Sequence, residues 1–142
     1  MQTQWLIPLD GSEHALRALD AAVLEAQARS VKPALVLLHV QSPLSSDVSR
    51  FIDAKTIDED HREAGEKVLQ PARDKLDSSG LTYTAHIMVG EVAPTIAAFG
   101  TSKGCQMVVM GARGMGSALG LLMGSVSAKV IHQTPLNVML VH

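Results

Sequence analysis

Aromatic residues and cysteine are scarce in this sequence, and each scarcity removes some possibilities. Phe, Trp and Tyr together make up 3% of the 142 residues while hydrophobic residues make up 46%. A core built from this chain must therefore be aliphatic, from Leu, Val, Ile, Ala and Met. The length is that of one domain, 1–142, with enough interior to be stable alone. The single cysteine, Cys105, cannot form an internal disulfide and points to a cytoplasmic location. Charge of one sign does not accumulate either. Twelve basic and 14 acidic residues give a formal net charge of −2, without the basic stripe that holds nucleic acid. No apolar run approaches the roughly 20 residues that span a bilayer. Met1 to Gln4 lack the basic start and apolar core of a signal peptide.

Several catalytic signatures are missing as well. No Gly-Lys-Ser or Gly-Lys-Thr occurs, which removes the Walker A loop. No Gly-x-Ser-x-Gly elbow is present, which argues against a serine hydrolase of the α/β type. The six histidines (14, 39, 61, 86, 132 and 142) show no i, i+4 pairing, so no zinc site is expected. Asp58-Glu59-Asp60-His61 contains metal-binding residue types, but an acidic first turn of a helix accounts for it.

The residues that are present alternate between two periodicities. Trp5 to Leu9 is a short apolar run that stops at Asp10-Gly11-Ser12, a turn and helix-cap combination. Ala15, Leu16, Leu19, Ala22, Val23 and Ala26 follow at helical spacing, and Lys32-Pro33 ends that helix. Ala34 to Val40 is nearly continuous apolar sequence, the mark of a strand covered on both faces. Gln41 to Arg50 is polar and reads as a loop. From Phe51 to Ser79 the chain is charged and helical, with Ala64, Val68, Ala72 and Leu76 four apart. Pro71 predicts a kink or break near Gln70. Thr82 to Val89 reads as a third strand. Glu91 to Ser102 reads as a helix that tolerates Pro94 in its first turn. A fourth strand (Gln106 to Met110), a glycine-rich loop, a fourth helix and a fifth strand (Leu136 to Val141) complete the chain. This alternation predicts a parallel sheet with helices on both faces.

The loop is the most unusual stretch. Five glycines in fourteen residues (Gly111, Gly114, Gly116, Gly120 and Gly124) let the backbone approach a ligand closely. The loop leads into a helix, where free N–H groups and the positive dipole end suit a phosphate. Its spacing is Gly111-x2-Gly114-x9-Gly124-Ser125. That pattern resembles the ATP-binding signature of the universal stress protein family. The resemblance extends to Leu6-Ile7-Pro8-Leu9-Asp10-Gly11-Ser12, Leu37-Leu38-His39-Val40 and Pro135 to Val141, in the family's order along nearly the whole chain.

The resemblance implies a three-layer Rossmann-like fold with five parallel strands in the order 3-2-1-4-5, a switch point between strands one and four, and an adenine nucleotide bound there. It implies ATP, or ADP or AMP, with or without Mg²⁺. Carried over, Pro8 lines the adenine pocket and Asp10 accepts from a ribose hydroxyl or an adenine amino group, although Asp10 equally reads as a helix cap. Val40 presents its backbone to the base edge, and Met110 packs near ribose or base. Gly111, Gly114, Gly124 and Ser125 take the phosphates, with the Val126 backbone and the Ser127 hydroxyl. Arg113, the only cation within the loop, reads either as a phosphate partner or as a solvated arginine. Gly116 and Gly120 fall outside the signature, and Met115 and Met123 read as anchors of the loop to the core.

No loop lysine and no acidic residue within the signature could hold Mg²⁺. Phosphoryl-transfer enzymes gain most of their rate from such preorganised charges, so binding without efficient turnover is expected. The His-x-Gly-His and Ser-Gly-Gly-x-Asp-Ser motifs of enzymatic branches of this architecture are absent too. The function implied is regulatory, with a slow ATP hydrolase or a nucleotide-free dimeric scaffold as alternatives. Leu136 to Val141, uncharged and apolar except Asn137, would form a sheet edge that needs cover. The resemblance implies a homodimer joined there, the alternative being an edge hidden by the chain's own loop around residues 41–50.

Overall fold

A computed structural model of the chain describes residues 2–43, 54–112 and 124–142. The strands are β1 (Gln4–Pro8), β2 (Ala34–Gln41), β3 (Tyr83–Val89), β4 (Met107–Gly111) and β5 (Asn137–Val141). The helices are α1 (Glu13–Gln27), α2 (Ala54–Asp77), α3 (Val92–Ser102) and α4 (Ser125–Gln133). All strand pairs are parallel and the sheet order is β3-β2-β1-β4-β5, the order the resemblance implies.

Continuous apolar strands produce this architecture because successive side chains leave a strand on opposite faces. Leu6 and Ile7 are adjacent and both fully buried, yet they enter different cores. Ile7, Leu35, Leu37 and Val109 pack with Leu19 and Ala22 of α1 and with Leu69 and Leu76 of α2. Leu6, Val36, Leu38 and Val108 pack with Ile96 and Phe99 of α3 and with Val130 of α4. Helices therefore cover both faces, and the strand ends β1 and β4 lie side by side where the chain's winding direction reverses.

The long helix departs from expectation in three ways. It runs unbroken from Ala54 to Asp77, with Pro71 inside it. The proline deprives the Lys67 carbonyl of its usual donor, but Lys67 and Pro71 both lie on the exposed side, where water can serve. The inward stripe is Gly65, Leu69, Ala72 and Leu76, whereas Ala64 is exposed and Val68 half-buried. Gly65 permits this phase because a Cβ there would lie 2.7 Å from Ile87 Cδ1 of β3. Finally, the helix starts at Ala54, so Asp58-Glu59-Asp60 falls beyond the first turn and does not serve the helix dipole there.

Smaller corrections concern boundaries. Gln41 extends β2 by one residue, and Glu91 is the N-cap of α3 with no side-chain cap bond. Strand β5 begins at Asn137 and, among the described residues, pairs only with β4 and forms an edge, with Val138 to Val141 half-buried. No described helix is long and apolar enough to cross a membrane.

Candidate functional site

Two chain turns meet beyond the carboxyl ends of β1 and β4. At the first, Leu9 N–H donates to the Leu38 carbonyl (2.8 Å), the last ladder bond between the ends of β1 and β2. The chain then reverses through Gly11, whose φ of +86° strains any residue with a side chain. Ser12 N–H donates to Asp10 Oδ1 (2.9 Å), and Ser12 Oγ accepts from Ala15 N–H (3.1 Å). Ser12 therefore caps α1. Asp10, read from sequence as either cap or ligand contact, sits two residues before the N-cap and is exposed.

At the second turn, Ala112 N–H donates to the Val141 carbonyl (2.8 Å) and so extends the β4–β5 ladder by one bond. Gly124 N–H returns to the Ala112 carbonyl, and α4 starts at the next residue with Gly124 as its N-cap. Ser127, almost fully buried, donates its hydroxyl to the Gly111 carbonyl (2.8 Å). That bond fastens the first turn of α4 to the end of β4. The hydroxyl expected on a phosphate thus commits its proton to main chain, and Ser127 serves an anion by fixing the helix that faces it.

Between the two turns lies a cavity of about 330 Å³. Pro8, Asp10, Val40, Met110, Gly111, Gly124, Ser125, Val126 and Ser127 all line it. Arg113 and Gly114, with Gly116, Gly120, Met115 and Met123, lie outside the described residues. The volume falls in the range of small-molecule sites, roughly 300–1,000 Å³. Its walls are mixed. Ile96, Val92, Val126 and Met110 supply apolar surface, whereas the α4 N-terminus supplies N–H groups and the positive end of a helix dipole.

Val40 is placed by strand geometry. Leu38 turns its carbonyl towards β1, and backbone groups two residues apart on a strand face the same side. The N–H and C=O of Val40 therefore face the space beyond the end of β1, where the cavity opens. Gln41 turns the other way, and its carbonyl accepts from Gly90 N–H (3.0 Å).

Two further lining residues, His39 and Gln41, were not singled out as site residues from sequence. The signal for His39 was an imidazole inside an otherwise apolar strand. Its ring is buried, with Nδ1 2.7 Å from the Leu9 carbonyl oxygen and Nε2 3.1 Å from Gln41 Oε1. Among the described lining residues, Asp10 is the only carboxylate and no lysine or arginine contributes. Nor does any group of three His, Cys, Asp or Glu among the described residues come together to hold a metal ion.

The profile of the universal stress protein family matches residues 2–142. The chain belongs to that family. Universal stress protein YxiE of Bacillus subtilis is 32% identical over 140 residues, covering 92% of each chain. Universal stress protein UspA from Lactobacillus plantarum has a similar fold, with a TM-score of 0.80 at 23% identity, covering 99% of this chain and 97% of that one. A universal stress protein crystallised in complex with cAMP gives a TM-score of 0.71 at 24% identity, covering 99% and 97%. Membership explains why segments so far apart in sequence, around Asp10, Val40 and Gly124, converge on one cleft.

Proposed function

We propose that this universal stress protein binds an adenine nucleotide in the cleft, as ATP, ADP or AMP, and acts as a nucleotide-dependent regulator and not as an efficient enzyme. The observation that carries this reading is the cavity itself. It joins a carboxylate turn after β1 to a helix N-terminus after β4 at the sheet's switch point, where open α/β sheets bind ligands. A family member bound to cAMP supports the choice of base. In this reading Asp10 accepts from a ribose hydroxyl, the Val40 main chain meets the base, and Pro8 and Met110 flank it. The N–H groups at Gly111, Ser125 and Val126 receive phosphate, Gly124 lines the approach while its own N–H stays on the Ala112 carbonyl, and Gly114 and Arg113 from the loop complete the site.

Regulation is favoured over turnover because a single carboxylate at the described cleft is a thin donor set for Mg²⁺ and offers no second group to orient water. A Mg²⁺ ion arriving with ATP would be held by Asp10 and the phosphates, and would offset phosphate charge. The β5 edge supports a homodimer, since its uncharged, mostly half-buried residues have no strand partner on their outer side among the described residues, and a second copy could pair there.

Calorimetric titration of nucleotide-stripped protein with ATP, ADP, AMP and GTP, each with and without Mg²⁺, tests this proposal. Gly114→Val serves as the control. Micromolar binding of an adenine nucleotide that the control abolishes is the expected result, with a dimer mass by light scattering on the same samples. No heat with any nucleotide would overturn the reading and leave a scaffold. Steady phosphate release lost in Asp10→Ala would replace it with slow hydrolysis.

A further inference from the structure

One buried polar side chain ties together both rims of the cleft's base end. His39 is 7% exposed, and its two ring nitrogens reach different strand ends, the Leu9 carbonyl before Asp10 and the side-chain amide of Gln41 after Val40. A carbonyl oxygen can only accept, so the bond to Leu9 places a proton on Nδ1. In the neutral ring Nε2 is then an acceptor, and the group 3.1 Å away must donate to it. A half-turn of the Gln41 amide exchanges its oxygen and nitrogen with no other movement, and it puts the NH₂ group on Nε2. The side-chain oxygen of Gln41, Oε1, is thereby left for the cavity that this residue lines.

We propose that Gln41 is the side chain that selects the base and that His39 is the positioning residue that sets its preference. The Gln41 oxygen accepts from the 6-amino group of adenine and opposes the 6-oxo group of hypoxanthine or guanine. This rests on the adenine-nucleotide reading above and deepens it. The Val40 main chain alone discriminates weakly. It offers one donor and one acceptor, and either base edge satisfies them after sliding by an atom. Two acceptors facing each other at Gln41 leave both unsatisfied, a difference of about tenfold to a hundredfold in affinity.

AMP and IMP, which differ in the 6-substituent and in the N1 beside it (acceptor in AMP, N–H donor in IMP), are the probes. Wild-type protein should prefer AMP by at least about tenfold. Gln41→Leu should bring the two affinities within about threefold of each other, mainly by weakening AMP. His39→Asn can still donate to the Leu9 carbonyl but cannot anchor Gln41. It should lose the preference while its summed affinity for the two nucleotides changes less. Nitrogen-15 NMR of the wild-type imidazole gives a readout independent of any variant's folding, and the Nδ1–H tautomer is the one expected from the bond to the Leu9 carbonyl. AMP binding with an unchanged AMP:IMP ratio in Gln41→Leu would overturn the proposal and leave the nucleotide reading standing. So would an Nε2–H tautomer or an imidazolium ring. Failure of the wild type to bind AMP, ADP or ATP would overturn both.

Discussion

Among the described residues, the polar groups on the β1–β2 side of the cleft are mainly side chains, whereas those on the β4–α4 side are mainly main chain. On the first side, Asp10, His39 and Gln41 carry the polar chemistry, and each has a defined bond to a neighbouring group. On the second, Gly111 and Gly124 have no side chain to offer, and the Ser127 hydroxyl is turned inward to the Gly111 carbonyl. The difference follows from what each side faces in the proposed complex. A base and a ribose are distinguished by donor and acceptor pattern, which side chains can encode one residue at a time. A phosphate is a diffuse anion, served by convergent N–H groups and a helix dipole that any sequence with the right turn supplies. Substitution should therefore change selectivity on one side and rigidity on the other.

The largest effect is expected at Asp10. A hydrogen bond to a charged group contributes about 1.5–3 kcal/mol, so Asp10→Ala should weaken AMP binding by about ten- to a hundredfold. The substitution also removes the acceptor for Ser12 N–H, and Asp10→Asn separates the two roles by keeping an oxygen for that bond. Calorimetry should show Asp10→Asn intermediate between wild type and Asp10→Ala. Equal affinity in all three proteins would mean that the carboxylate only shapes the turn. The side-chain wall would then reduce to His39 and Gln41.

Ser127 probes the opposite wall with an effect of the next size. Removing its hydroxyl leaves the buried Gly111 carbonyl short of a donor, a cost of about 1–2 kcal/mol. Thermal unfolding of Ser127→Ala should shift down by about 3–6 °C for a chain of this length. Its AMP:IMP ratio should stay that of the wild type, because nothing on this wall reads the base. A changed ratio would show that α4 and the base end are coupled, and the division between the walls would fail.

How much of this division could be seen in the sequence differs from one wall to the other. The glycine spacing around Gly111, Gly114 and Gly124 stands out in the sequence because a proposed main-chain site clears away side chains, and of the three the structure brings Gly111 and Gly124 to the cavity. The strands were legible as continuous apolar runs, but periodicity does not order them. The order 3-2-1-4-5 came from the family resemblance. His39 and Gln41 were not legible as a unit, since the meaning of the imidazole depends on the Leu9 carbonyl, thirty residues away on another strand end. The phase of α2 was missed for a related reason. Gly65 does not count as apolar in a helical pattern, yet it is the residue that lets the helix lie against Ile87. Pro71 was read as a breaker, but its lost hydrogen bond falls on the solvent side and the helix continues.

That same contact between α2 and β3 gives the smallest and most discriminating of these predictions. Ile87 is paired with His39 across the β2–β3 ladder, so α2 presses on the strand that backs the side-chain wall. A Cβ at position 65 would meet Ile87 Cδ1, Cγ1 and Cγ2 at 2.7–2.9 Å, and the last two atoms lie close to the strand and yield little. Overpacking of this kind costs about 1–3 kcal/mol, while replacing a helical glycine by alanine returns about 1 kcal/mol. Gly65→Ala should therefore destabilise by about 1 kcal/mol net, a shift of about 3 °C in thermal unfolding. If β2 is rigid, the AMP:IMP ratio stays unchanged and the selectivity belongs to His39 and Gln41 alone. If displacement of β3 reaches His39, the ratio falls although no residue of the cleft has been altered. The side-chain wall would then depend on the packing behind it in a way that the main-chain wall, fastened by Ser127 to its own strand, does not.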